Sequence, residues 1–159
     1  MKFSLLITLL VAVICICPSF GQINRPTLLG NPAFEQAVIK NLRFPAAAQR
    51  LGKSIRVYVS FTLSDKGSYQ EVAVVNLGPI DKSLKQEIDR LWHILPNQYP
   101  KYAGDYVIPI AFMLGEGGPE RLKPISNQDD KLTKQGTYTL LKELSVTGWI
   151  ECERRTLSN

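Results

Sequence analysis

Histidine is almost missing from this chain: His93 is the only one in 159 residues, beside three cysteines and two methionines. A single imidazole leaves little for metal chemistry, and His93 follows Trp92 on a helical segment, where it reads as a boundary residue. No metal-ligand cluster, phosphate-cradling glycine loop or Ser–His–Asp set can be assembled around it. Glu87 and Asp89 come nearest to a carboxylate pair. Residues two apart on a helix do not face each other, so both read as solvated charges. No catalytic set is visible, and neither an enzyme nor a bound cofactor is expected.

Also lacking is any basic run interleaved with aromatics, which argues against nucleic acid as a partner. The formal charge of +5 comes from 19 basic and 14 acidic residues spread along the chain, and it is read as solubility. Internal repeats and low-complexity tracts are absent too. The cysteines offer no framework: Cys15 and Cys17 lie in the apolar N-terminal run, and Cys152 alone cannot close an internal bridge. A hydrophobic core must therefore hold the fold, and the 45% apolar content is ordinary for one domain.

What is present begins with a targeting segment. Lys2 is followed by the apolar run Phe3 to Cys17, then Pro18 and the small-x-small stretch Ser19-Phe20-Gly21. Residues 1–21 are read as a cleaved signal peptide, which leaves a net charge of +5 − 1 = +4. A run of about 15 residues falls short of the roughly 20 that span a bilayer. The expected location is periplasmic, with an inner-membrane anchor facing the periplasm as the rival reading.

Residues 22–33 form an N-terminal extension. Asn31 is a suitable N-cap with Pro32 at the first helical position, and Phe34, Ala37, Val38 and Leu42 share one apolar face. Phe44-Pro45 interrupts, Ala46 to Leu51 restarts a turn or two, and Gly52 stops it. Ile55, Val57, Val59, Phe61 and Leu63 then alternate with polar residues as a half-buried strand. The turn residues Ser64 to Ser68 lead into a return strand from Tyr69 to Val75.

Leu84, Ile88, Leu91, Trp92 and Leu95 lie on one face of the next helix. A final strand from Ile108 to Leu114 contains Pro109. Proline has no N–H to give, so this strand is expected at a sheet edge, with 108, 110 and 112 pairing inward and 109, 111 and 113 facing an open side. The fold class is α+β, two helices on one face of a three-stranded antiparallel sheet plus a C-terminal tail. Residues 34–115 make the domain, 116–137 a polar linker, and 138–159 a tail with a possible strand.

Five pieces of this region resemble the C-terminal domain family of TonB, the periplasmic energy transducers of Gram-negative bacteria. They are Phe44-Pro45-Ala46-Ala47-Ala48-Gln49, the strand VYVSFTLSDKG, the strand EVAVVN, the helix with Leu91-Trp92, and VIPIAFML. Together they cover roughly Phe34 to Leu114 in the family's order. The resemblance implies capture of an extended segment of a TonB-dependent outer-membrane receptor by strand addition, in support of transport. Its site would be Ala111 and Met113, with Arg43, Phe44 and Pro45 near the guest's end. Residues 1 to 22 hold neither a histidine nor an acid, and about a dozen residues reach roughly 40 Å at most. Binding without energy transduction is therefore the expectation.

The tail segment Leu141 to Trp149 resembles the Glu-hydrophobic-x-Val-Thr-Gly-aromatic stretch that opens many such receptors in Bacteroidetes-type bacteria, through Glu143, Val146, Thr147 and Gly148. Two readings stand open: an accidental amphipathic strand, or a guest for the Ala111–Met113 edge, in cis or in a second copy. The remaining expectations are a homodimer through edge strands, and a structural envelope protein that uses this fold to bind peptidoglycan or another periplasmic protein.

Overall fold

In a computed structural model the described residues are 26–116, 122–125 and 136–150; residues 1–21, which were read as a signal peptide, and Cys152 lie outside them. Asn31 caps the first of the described helices, α1 (Pro32–Asn41), by accepting from the Ala33 and Phe34 N–H groups. A break at Leu42–Pro45 leads into the short α2 (Ala46–Gln49). Strands β1 (Ile55–Leu63) and β2 (Tyr69–Val74) form a hairpin, and Asp81 caps α3 (Lys82–Ile94). After a 3-10 turn at Pro100–Tyr102 come β3 (Gly104–Glu116), β4 (Thr139–Leu140) and β5 (Leu144–Ile150).

The described residues are thus α+β, with three α-helices and a mixed five-stranded sheet among them. The expected three-stranded antiparallel sheet is present only as the part β2-β1-β3; β4 and β5 extend it on the far side of β3 in parallel. Inward residues of β1 (Ile55, Val57, Val59, Phe61, Leu63) and β3 (Ile108, Ile110, Phe112, Leu114) share one cluster with Phe34 and Val38 of α1 and Leu84, Ile88, Leu91 and Trp92 of α3. One face of the sheet therefore carries both long helices, as their apolar stripes require. The hairpin turn depends on Gly67, which has φ +77° and whose carbonyl accepts from the Gln98 N–H at 2.9 Å. A Cβ there would fall 1.8 Å from the Gln98 carbonyl oxygen. Gly67→Ala is expected to cost about 2 kcal/mol in thermal unfolding, from left-handed strain plus displacement of that loop; a neutral result would refute the close approach.

Pro109 does not lie on an edge strand. It pairs across from Tyr58 of β1 and has the tail on its other side. The direction inferred for its backbone is right, however. Tyr58 sends its N–H to Asn76 Oδ1 and its carbonyl to the Val75 N–H, both on the β2 side, so its pair with Pro109 is a non-bonded one. Pro109 therefore turns its missing donor toward the tail. There the tail bows away: from Val107 to Ile110 is three steps, whereas their partners Leu140 to Leu144 are four apart. An interior proline is tolerated because its neighbour skips that position.

The expected linker also joins the fold in part. Leu122 and Ile125 bridge to Gly115 and Ser54, and buried Ser54 donates to the Lys123 carbonyl at 2.5 Å while accepting from the Leu114 N–H at 2.9 Å.

Candidate functional site

The outer edge of β3, where a guest strand was expected, holds β5. Ala111 pairs with Ser145, Phe112 with Val146, Met113 with Thr147, Leu114 with Gly148 and Gly115 with Trp149. Upstream, the Val107 carbonyl accepts from the Leu141 N–H at 2.8 Å. The open rail predicted at Ala111 and Met113 is therefore occupied, and of the two readings of the tail the structure has the strand docked in cis. Period-2 alternation explains how it sits. Leu144 and Gly148 are buried and Val146 half-buried on the helix side, whereas Ser145, Thr147 and Trp149 are exposed on the other.

Two glycines set the fit. Gly148 lies under the Phe44 ring and the Gln49 amide: a Cβ would come within 2.7 Å of Phe44 Cδ1 and 2.8 Å of Gln49 Cδ. Gly115 lies under the Trp149 indole, and a Cβ there would approach Cζ3 to 2.2 Å. On the outer face Arg56 of β1 reaches the Glu143 carboxylate, forming an ion pair across the strand that carries Ala111. Alanine's small side chain leaves that path clear.

The cover over Gly148 is itself held. Phe44 meets Phe112 edge-on at 5.3 Å, and its carbonyl accepts from Gln49 Nε2 at 2.8 Å. One residue back, the Arg43 N–H donates to Glu87 Oε1 at 2.7 Å. Glu87 was expected in solvent; it is 7% exposed and pairs with Arg90 through both carboxylate oxygens, at 2.6 and 2.7 Å. Arg90 in turn donates to the Asn41 carbonyl at 2.6 Å, and the Glu87 hydrogen bond raises its pKa. This network ties the break between α1 and α2 to α3. The signal was available: 84, 87, 88 and 91 form one helical stripe, and Glu87 stands inside it.

Of the expected site residues, Phe44, Ala111, Met113, Glu143, Val146, Thr147 and Gly148 meet at one edge. Pro45 follows Phe44 as the N-cap of α2, and the Arg43 side chain is exposed while its backbone holds Glu87. Missed were Gln49, Arg56, Glu87, Gly115 and the core contributions of Leu141 and Leu144. The spacing of Leu144, Val146 and Gly148 carried a signal for the last group; nothing local paired Gly115 with Trp149.

Away from this edge, a cleft of about 240 Å³ between α3 and β2 is lined by Tyr69, Val72, Asp89, Trp92 and His93. His93 Nδ1 lies 2.6 Å from the Asp89 carbonyl, and burial pushes the Tyr69 phenol up to about 12. That phenol stays protonated at neutral pH. Among the described residues no group of three or more His, Cys, Asp or Glu is placed to hold a metal ion.

Fold and site together define an α+β domain whose sheet is completed by its own tail strand. No family model matches the chain, and neither a curated protein nor a solved structure matches it.

Proposed function

We propose that this protein is an exported, periplasmic binding module of the TonB C-terminal type. It captures an extended segment of a TonB-dependent outer-membrane receptor by adding it to the outer edge of β3, and so contributes to transport across the outer membrane. One observation carries the reading: a seven-residue extended segment, β5, already pairs along that edge in parallel. An edge that accepts one strand supplies the same backbone donors and acceptors to another. The two-helix cover over β2-β1-β3 agrees with the family's arrangement. The tail then acts as a resident that an incoming segment displaces.

The occupied edge equally favours a second reading, in which the completed sheet is final and the protein holds peptidoglycan or another periplasmic protein through other surfaces. Calorimetric titration of the exported chain with peptides from receptor N-termini, run beside sedimentation with cell-wall fragments, separates the two. Strand capture predicts saturable peptide binding that Met113→Pro abolishes, because proline removes a donor on the tail side of β3. Circular dichroism of Met113→Pro should keep the helices and the β1–β2 hairpin, with the loss confined to the β5 pairing that Met113 makes with Thr147. Retention on cell wall with no peptide heat would overturn the proposal.

A further inference from the structure

The border of the sheet away from the tail carries a different kind of site, in the cleft between α3 and β2. We propose that this cleft binds the ammonium head of a small primary alkylamine, with the Asp89 carboxylate as its counter-ion. The assignment is independent of strand capture, since no residue of β3 or β5 lines the cleft.

The side chains around the cleft present acceptors and no accessible donor. Asp89 is exposed and enters no ion pair among the described residues, so its carboxylate is open to a ligand. His93 Nδ1 lies 2.6 Å from the Asp89 carbonyl, and a carbonyl can only accept, so Nδ1 carries the proton. Neutral imidazole then keeps the lone pair of Nε2 for an incoming donor. The Tyr69 hydroxyl gives its proton to the Pro96 carbonyl at 3.3 Å, and its oxygen can still accept. Trp92 Nε1 has no acceptor, but it is buried where solvent does not reach it. The indole therefore shows the cleft its ring carbons and not its N–H.

Charge and size choose among ligands that carry donors. No lysine or arginine lines the cleft: Lys85, one turn before Asp89, is exposed and outside the lining, and Arg90 is held by Glu87. A carboxylate or phosphate would meet Asp89 and find no side-chain donor to bind it. A primary ammonium brings three donors and the opposite charge. Its alkyl chain packs on Val72 and on the Tyr69 and Trp92 rings, which attract a cation placed over their faces. The volume of about 240 Å³ suits a chain of a few carbons.

Titration of the exported chain with butylammonium, followed by amide NMR, tests the site. Saturable shifts should gather at residues 69–72 and 89–93, with a Kd of about 1 mM. Asp89→Asn should weaken binding about tenfold. Asp105→Asn, the same charge change at an exposed position of β3, should leave it unaltered. Val72→Phe, which fills the cleft from β2, should abolish binding while the amide spectrum stays dispersed. Butanol, with the same chain and no charge, should not bind. Tetramethylammonium, a cation without a donor, should bind about tenfold more weakly than butylammonium.

Equal shifts with butanol would make the cleft a merely apolar hollow and overturn the proposal. So would butylammonium affinity that Asp89→Asn leaves intact, or that Asp105→Asn lowers as much, since the cation would then answer the surface charge as a whole. Tetramethylammonium binding as tightly as butylammonium would overturn recognition through acceptors. Sedimentation with vesicles of an ethanolamine phospholipid separates a free amine from a lipid headgroup. Co-sedimentation that Asp89→Asn abolishes would overturn the free amine as the source. None of these outcomes touches the β3 edge, so strand capture stands or falls by its own titration.

Discussion

Phe61→Ala should lower the free energy of unfolding by about 4 kcal/mol, the largest loss expected from a single side chain here. Phe61 is fully buried toward the hairpin end of β1, and four rings surround it: Phe34, Tyr69, Trp92 and Tyr106, with centroids 5.5 to 6.0 Å away. These neighbours come from α1, β2, α3 and β3, so no single element can move in to fill the gap. A cavity that cannot collapse forfeits both transfer energy and packing contacts. Phe61→Leu, which keeps most of the volume, should lose less than half as much. Urea unfolding checks this, provided the slope of stability against denaturant stays constant. A loss below about 2 kcal/mol would mean the cluster is looser than the ring geometry shows.

Glu87→Ala should cost about 3 kcal/mol and also unsettle the tail. The substitution leaves the Arg43 N–H without its carboxylate and Arg90 without its partner. Arg90 is 34% exposed and can turn to water, so the figure sits at the low end for a broken buried pair. Glu87→Gln keeps an acceptor for the Arg43 N–H and should lose about half as much. The second effect is the more diagnostic. Freed from α3, the break bearing Phe44 no longer presses on Gly148, so amides of β5 should exchange faster than those of β1. Uniform acceleration across the sheet would show that Glu87 supports the fold generally and not the lid in particular.

Much of the core was legible because its signals are local. The alternation of β1, the single apolar face of α3 and the Asn31-Pro32 cap each lie within a few neighbouring residues. The two-part first helix followed from Phe44-Pro45. What escaped was long-range. β5 pairs with residues 34 positions earlier, and parallel pairing across such a gap leaves no turn signature to mark it. Pro109 misled for a related reason. The rule that confines proline to edges holds for a continuous ladder, and here the neighbouring tail skips the one rung that proline cannot fill. Its orientation was readable, but its neighbour was not. Glu87 escaped because charge outweighed position: its place in the apolar stripe spoke for burial, and only Arg43 and Arg90 make that burial tolerable.

The far border of the sheet decides how copies of this protein can meet. On β2, Glu71 adopts φ +51° where the register with β1 slips, and beyond β2 the Asn76 amide closes off the Arg56 carbonyl and the Tyr58 N–H. A kinked margin of this kind refuses a flat neighbour. Among the described residues, sheet-to-sheet assembly is left with the β4–β5 side, and joining like to like there closes on itself with two-fold symmetry. Association by that route stops at a pair, and no filament can grow from it.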